Sequence, residues 1–423
     1  MPADASAPRA ARAPHDAPAP RPARAPLRLL LGAFGDPGHA FPMLALGGAL
    51  AARGHEVTLQ TWTRWRDDVL AAGMRFEAAP EYHVFPTRER PLAPYDAVRR
   101  ATVQTRPVVA ALRPDAVVAD ILTLAPALAG ELEGVPVATV IPHLDPRTEP
   151  GWPPYSVGAR RPRTIVGRRL WGAAARVTDA GLERGRVELN ETRRLVGLSP
   201  LARVHGGISE ALALAATFPQ LEYARAVPPP ATHVVGPLLW EPPSGAFVVP
   251  PGDEPLVLVA PSTSQDPSHG LLRASLAALA DLPVRVVAAW NGRPLSPPVD
   301  VPPNARLVEW VSYARTMPHC DVVVCHGGHG TVARALHCGC VVVVVPAAGD
   351  MNENAARIDW AGVGVRVPRR LCGPRAVRLA VERALSDTRM RVHAESISAW
   401  SRSHDAAAHA ADLIEDLAVR QAN

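Results

Sequence analysis

The chain contains no lysine. All 45 basic residues are therefore arginine, which excludes chemistry that needs a side-chain amine: there is no Schiff base and no Walker-type phosphate-loop lysine. Cysteine is sparse. Five cysteines, an odd number in a long chain, make no disulfide framework and fit a reducing, cytoplasmic setting. Cys320, Cys325, Cys338 and Cys340 lie near His326, His329 and His337, but Cys325 ends an apolar run and the spacing matches no familiar zinc finger. The expectation is buried thiols and no metal site. Long apolar runs are missing too, because Arg, Pro or Asp interrupts each before it reaches membrane-span length. A formal charge of +5, with the arginines spread along the chain, argues against nucleic acid as a partner. Residues 1–26, rich in Ala, Pro and Arg, have no continuous apolar stretch of the signal-peptide kind and are expected to be disordered.

What remains suits two domains. At 423 residues the chain divides naturally into halves of about 200 residues. Leu27–Leu31, Glu56–Leu59, Asp115–Asp120 and Val135–Ile141 read as strands alternating with helices. A second β/α series follows at Leu256–Val259, Val284–Ala289, Ala305–Val308, Asp321–Cys325 and Val341–Val345. Such alternation predicts doubly wound parallel sheets. The division is a tail over 1–26, a first domain over 27–235, a Pro- and Gly-rich linker over 236–255, and a second domain over 256–423. That second domain ends in an amphipathic helical segment, Arg375 to about Arg420. Ligands of such sheets sit outside the carboxyl ends of the strands, so the two halves should share one cleft.

The most informative stretch is His326-Gly327-Gly328-His329-Gly330-Thr331, between the apolar run Asp321–Cys325 and the helical pattern Val332–Leu336. Glycines let a backbone approach a ligand closely, and the N–H groups of a first helical turn favour phosphate oxygens. The turn therefore points to a phosphorylated ligand. The earlier turn, Gly32 to His39, has glycines three apart and no acidic residue at the tip of the next strand, which argues against a dinucleotide site.

His39 is the candidate general base. An imidazole of ordinary pKa near about 6.5 accepts a proton from a hydroxyl at neutral pH without a metal. His39 follows the first strand and Asp120 ends the strand Asp115–Asp120, and in a parallel sheet these carboxyl ends share an edge. Asp120 can then fix the tautomer and stabilise the imidazolium, as the orienting acid does in a catalytic triad.

From residue 27 onward, and most closely over Trp310–Asp359, the chain resembles the GT-B glycosyltransferases of family 1, inverting enzymes that glycosylate natural products from nucleotide sugars. The resemblance implies an α/β fold of two Rossmann-like domains facing across a cleft, with the first domain binding the acceptor and the second the nucleotide sugar. It also implies a His and Asp pair where His39 and Asp120 stand. For the donor it implies that Trp310 stacks on the base beside Val311, that His326, Gly328, Gly330 and Thr331 contact the diphosphate, and that Asp350 holds sugar hydroxyls. Thr263 belongs to the Ser-rich loop Pro261–Ser264. Two positions depart from the pattern: Arg334 stands where a Glu often holds the ribose, and Met351 where Gln commonly follows the Asp. Arg donates hydrogen bonds and cannot accept them. Helix geometry puts residue 334 about 12 Å along the axis from His326, near a ribose rather than a phosphate.

These readings converge on a metal-independent hexosyltransferase. It would move a hexose or deoxyhexose from a UDP or dTDP sugar, its co-substrate, to a hydroxyl of an apolar small molecule, with no further cofactor. Trp152, Trp171 and the arginines around them are candidates for the acceptor mouth. The alternatives are a nucleotide-sugar epimerase, a lipid-linked sugar transferase whose Arg160, Arg161, Arg163, Arg168 and Arg169 rest on an anionic membrane surface, and a noncatalytic partner protein that keeps the fold.

Overall fold

The computed structural model describes residues 25–82, 93–243, 247, 249–263 and 265–420. All but the last two residues of the expected tail over 1–26 lie outside the described residues, as does Ser264. Strands β1 (Arg28–Gly32), β2 (Glu56–Thr61), β3 (Arg75–Ala78), β4 (Ala116–Asp120), β5 (Val137–Ile141), β6 (Ala213–Ala215) and β7 (Thr232–Val234) form the first sheet, in the spatial order β3-β2-β1-β4-β5-β6-β7. Strands β8 (Leu256–Ala260), β9 (Arg285–Ala289), β10 (Ala305–Val308), β11 (Val322–Cys325), β12 (Val341–Val344) and β13 (Gly364–Arg366) form the second, ordered β10-β9-β8-β11-β12-β13. All pairings are parallel. These are two Rossmann-like domains.

The central strands are continuous apolar runs because helices cover both faces. Leu29–Leu31, Val117–Val118, Val257–Ala260 and Val322–Cys325 are all essentially inaccessible to solvent. The covering helices of the first half are α1 (Pro37–Ala52), α2 (Arg66–Ala71), α3 (Pro94–Leu112), α4 (Leu124–Leu132) and α5 (Ile165–Val196). The second half carries α6 (Gly270–Leu279), α7 (Tyr313–Thr316), α8 (His329–His337), α9 (Asp350–Ala361), α10 (Pro374–Ser386), α11 (Thr388–Arg402) and α12 (Ala406–Arg420). Strands β3, β6, β7 and β13 have three or four residues each and stand at or near sheet edges, where no long apolar run is needed.

Strand order reverses direction between β1 and β4 and again between β8 and β11. Each reversal opens a crevice at the carboxyl ends. In the first sheet the register Gly32↔Ala119 sets the turn leading to His39 beside Asp120. In the second, Cys325↔Ala260 sets the glycine-rich turn after β11 beside the loop that carries Thr263.

The final segment divides into three helices, and the last of them leaves the second sheet. The Asp387 carboxylate caps α11, accepting from the Arg389 and Met390 N–H groups at 3.0 and 3.2 Å. Helix α12 then packs on the first domain, where Ala406, Ala410, Ala411, Ile414 and Leu417 share a core with Leu44, Leu46 and Leu50 of α1. Arg53 reaches Asp412 and Glu415 at 2.8 and 2.7 Å, and His55 meets Glu415 at 3.1 Å. An apolar stripe spaced i, i+4 needs a partner face, and α1 supplies it. A second tie is Arg357, which is 2% exposed. It donates to Glu353 Oε1 at 2.8 Å and to the Leu221 carbonyl at 2.8 Å, meets Glu222 at 3.3 Å, and lies 3.5 Å over the Tyr223 ring.

Candidate active site

Strand β1 ends at Gly32, and α1 starts at Pro37, whose fixed φ suits a first helical position. That places His39 in the first turn of α1, at the edge where β4 ends in Asp120. His39 Nδ1 lies 2.8 Å from Asp120 Oδ1. The second carboxylate oxygen accepts from the Phe34 N–H and the Thr123 hydroxyl, each at 3.3 Å. Asp120 is 1% exposed, so its orientation is fixed on three sides. With Nδ1–H donating to the carboxylate, Nε2 is left as the acceptor. Burial lowers the His39 pKa, but the charge and hydrogen bond of Asp120 outweigh it, and the net value lies above the ordinary 6.5.

Beyond the end of β5 stands His143, a residue the sequence did not single out. Its ring centroid is 6.3 Å from that of His39. Nδ1 lies 2.7 Å from the Leu144 carbonyl and 3.2 Å from the Tyr155 hydroxyl. The carbonyl can only accept, so Nδ1 carries the proton and Nε2 is again the bare nitrogen. Burial lowers the pKa of His143, and proximity to His39 adds to this. Burial likewise pushes the Tyr155 phenol well up. Nothing local in Pro142-His143-Leu144 marks this histidine; only the β4–β5 pairing brings it to His39.

The glycine-rich turn over residues 326–331 follows β11. His326 Nδ1 lies 3.3 Å from the Ala260 carbonyl, so its proton sits there too, and burial holds the ring below its ordinary pKa. Two glycines make the turn possible. Gly327 has φ +89°, and a Cβ there would stand 2.9 Å from Val344 Cγ1; a Cβ on Gly328 would stand 2.5 Å from His326 Nε2. Gly328 caps α8 without a side chain. The N–H groups of His329, Gly330 and Thr331 all precede the first intrahelical bond, from Val332 N–H to the Gly328 carbonyl at 3.0 Å. Thr331 is buried with its hydroxyl at the Tyr313 phenol.

Asp350 opens α9 directly after Gly349, which occupies the cap position at φ 54°. Its carboxylate forms no hydrogen bond among the described residues, and its charge raises the pKa of His39, His143, His326 and His329 together. The acid from the second domain therefore stands among histidines of both. His329 bridges the halves: Nδ1 meets Asn354 Oδ1 at 3.2 Å and Nε2 meets the Ala216 carbonyl at 3.3 Å, while burial pushes its pKa down to about 4. Asn354 in turn donates to the Gly327 carbonyl at 2.8 Å.

Trp310 is 49% exposed, so it is not a core aromatic. A Cβ on Gly292 would lie 3.3 Å from its ring, and Val311 beside it packs against the second core. Thr263 is exposed beyond β8. Ser262 Oγ accepts from the Gln265 N–H at 2.9 Å and shapes that loop. Trp152, a candidate for the acceptor mouth, is instead 5% exposed and packed edge-on against Tyr223 at 5.4 Å, with Arg161 and Arg225 over its ring. Arg334 lines a cavity of about 610 Å³ with Leu44, Leu239, Trp240 and His337. None of the candidate site residues lines that cavity.

Among the described residues no group of three or more His, Cys, Asp or Glu could hold a metal ion. Cys320, Cys325 and Cys340 are buried, and burial pushes Cys320 and Cys325 up to about 12, so they are protonated thiols. No helix of the described residues is long and apolar enough to cross a membrane.

Residues 273–417 match the family model of the Erythromycin biosynthesis protein CIII-like C-terminal domain. The chain is 30% identical over 424 aligned positions to 4'-demethylrebeccamycin synthase of Lentzea aerocolonigenes, covering 92% of this chain and 99% of that protein. Among solved structures it is similar to the glycotransferase of kitacinnamycin, with a TM-score of 0.72 and 22% identity, covering 93% of this chain and 99% of that one. It is also similar to the glycosyltransferase VinC in complex with dTDP, with a TM-score of 0.67 and 20% identity, covering 93% of this chain and 100% of that one.

Proposed function

The chain belongs to the GT-B natural-product glycosyltransferases, and from that premise we propose that it transfers a hexose or deoxyhexose from a UDP or dTDP sugar to a hydroxyl of an apolar small molecule, with inversion at the anomeric carbon. His39 Nε2 takes the proton of the acceptor hydroxyl, and the oxygen attacks the anomeric carbon on the face opposite the diphosphate. The bond from that carbon to the phosphate oxygen breaks, and its electron pair leaves with the nucleotide. Asp120 holds the tautomer and stabilises the imidazolium.

The leaving diphosphate is met by preorganised donors, the first-turn N–H groups of α8 and the His326 ring, in place of a metal ion. Asp350 accepts from hydroxyls of the transferred sugar, and the half-exposed Trp310 stacks on the base next to Val311. Thr263 borders the diphosphate from the β8 loop. Thr331 contributes its backbone N–H, since its hydroxyl faces Tyr313. On the acceptor side Phe34 stands edge-on to His39 at 6.1 Å and to Trp62 at 5.0 Å, an apolar wall that suits an apolar acceptor.

The observation that carries the reading is a part-buried His39–Asp120 pair whose histidine feels the charge of Asp350 from the opposite domain. Base, sugar-holding acid and phosphate turn then serve one reaction. The test is incubation of the purified chain with UDP- and dTDP-sugars and a mixture of hydroxylated aromatic and polyketide acceptors, followed by mass spectrometry. A hexose or deoxyhexose mass increment that disappears in His39→Ala supports the proposal. Donor consumption with no acceptor product, or product formation by His39→Ala at the wild-type rate, refutes it.

A further inference from the structure

Between Glu149 and Asp179 the chain carries six arginines and no acid: Arg160, Arg161, Arg163, Arg168, Arg169 and Arg176. Helix α5 starts inside this stretch, capped by Thr164, whose Oγ1 accepts from the Gly167 N–H at 3.1 Å. Only Leu189, Asn190, Thr192 and Arg193, in its last turns, are buried. There the Arg193–Glu131 pair at 2.8 Å ties it to α4. In the first half Arg168 lies against Gly151 and Trp171, Ala175 and Thr178 are half-exposed, but the side that carries the branched aliphatic residues is open to solvent. Ile165, Val166, Leu170 and Val177 are 70%, 67%, 68% and 82% exposed.

Helical periodicity sets Val166, Leu170, Ala173 and Val177 on one stripe, about 18 Å long from Ile165 to Val177, with Arg169 and Arg176 along its flank. The side chains of Arg163, Arg168, Arg169 and Arg176 form no hydrogen bond or ion pair among the described residues. An aliphatic stripe edged by arginines is the pattern of a helix that lies in the headgroup–acyl boundary, its long side chains reaching up to phosphates.

We propose that this face of α5 docks on an anionic lipid bilayer. A second copy of the chain fits it poorly, because a two-fold contact sets the same patch against itself, arginines facing arginines. An acidic protein fits less well than lipid, because the stripe is convex and aliphatic, with no pocket or central aromatic anchor of the kind that dominates protein interfaces. The segment leading into α5 borders the cleft: Tyr155 meets His143, and Arg366 holds the Gly158 carbonyl. Docking would hold the cleft near the bilayer, where an apolar acceptor dissolves, and this consequence alone rests on the proposed function.

The test is co-sedimentation of the full chain with phosphatidylcholine vesicles and with vesicles that also contain phosphatidylglycerol, at low and high salt. Two variants accompany it: Leu170→Asp with Val177→Asp, and Arg169→Glu with Arg176→Glu. All four side chains are exposed, and unchanged nucleotide binding by calorimetry verifies folding. The expected result is binding to the anionic vesicles only, weakened by salt. Each arginine near an anionic surface contributes about fivefold, so the double arginine variant should lose about 25-fold or more, and the aspartate pair at least about tenfold. Equal binding to both vesicle types, or undiminished binding by both variants, would overturn the proposal. So would self-association that the same substitutions abolish in the absence of vesicle binding. None of these outcomes depends on sugar transfer, so docking and transferase activity succeed or fail separately.

Discussion

Replacing Asp120 by Asn keeps the shape of the side chain and removes its charge. In the wild type the carboxylate lies 2.8 Å from His39 Nδ1 and is 1% exposed, so little water screens the pair. A carboxylate about 4 Å from an imidazolium charge, at an effective dielectric of about 20, stabilises it by about 4 kcal/mol. If that stabilisation develops in the transition state as His39 takes the proton, its loss costs about three decades in turnover. The amide adds a second fault. Its NH2 group can turn toward Nδ1 and drive the proton to Nε2, which disables the base and brings the loss toward the four decades seen when a triad acid is amidated. The assay is kcat/KM against pH with a saturating donor. A base must be neutral to act, so in the wild type activity falls as pH drops through the His39 pKa, which lies above 6.5. In Asp120→Asn the effect of burial is no longer opposed by Asp120, and this acid limb should move to lower pH although the rate is lower throughout. Activity within about threefold of wild type, or an acid limb that stays in place or moves upward, would show that Asp120 does not act through His39.

Three further outcomes are expected. Gly328→Ala keeps an allowed backbone, φ −59°, but puts a methyl group 2.5 Å from His326 Nε2. The displaced ring should weaken dTDP or UDP binding about tenfold or more by calorimetry, and unchanged affinity would remove His326 from the diphosphate site. Arg357→Met leaves Glu353 and Glu222 without their buried cation and should destabilise the fold by about 3–5 kcal/mol; thermal melting within a degree or two of wild type would contradict the role assigned to this tie. Transfer should persist in excess EDTA, because the proposed mechanism has α8 and His326 meet the leaving group in place of a metal, and a strict divalent-cation requirement would refute it.

Period and turn chemistry are local, and they were legible in the sequence. Buried strands announced themselves as unbroken apolar runs such as Leu29–Leu31 and Val322–Val324, since a strand covered on both faces needs no polar side. The glycine-rich turn after β11 was legible because close backbone approach at positive φ demands glycine, as at Gly327. The edge strands β3, β7 and β13 and the buried β6 were not, since runs of three or four residues carry no period. Tertiary structure alone decided which distant residues meet. The register of β1 with β4 joins His39 to Asp120 across 81 residues, and the sequence reading reached that pair by assuming a parallel sheet and through the resemblance to a known family. No comparable rule places His143 beside His39, ties His329 to Ala216 across 113 residues, or sends α12 back onto α1. Nor could the helix period alone show that Arg334 faces the cavity beside α1 and the linker, because spacing fixes a side chain's position on its own helix, whereas the packing of the two domains decides what that face meets.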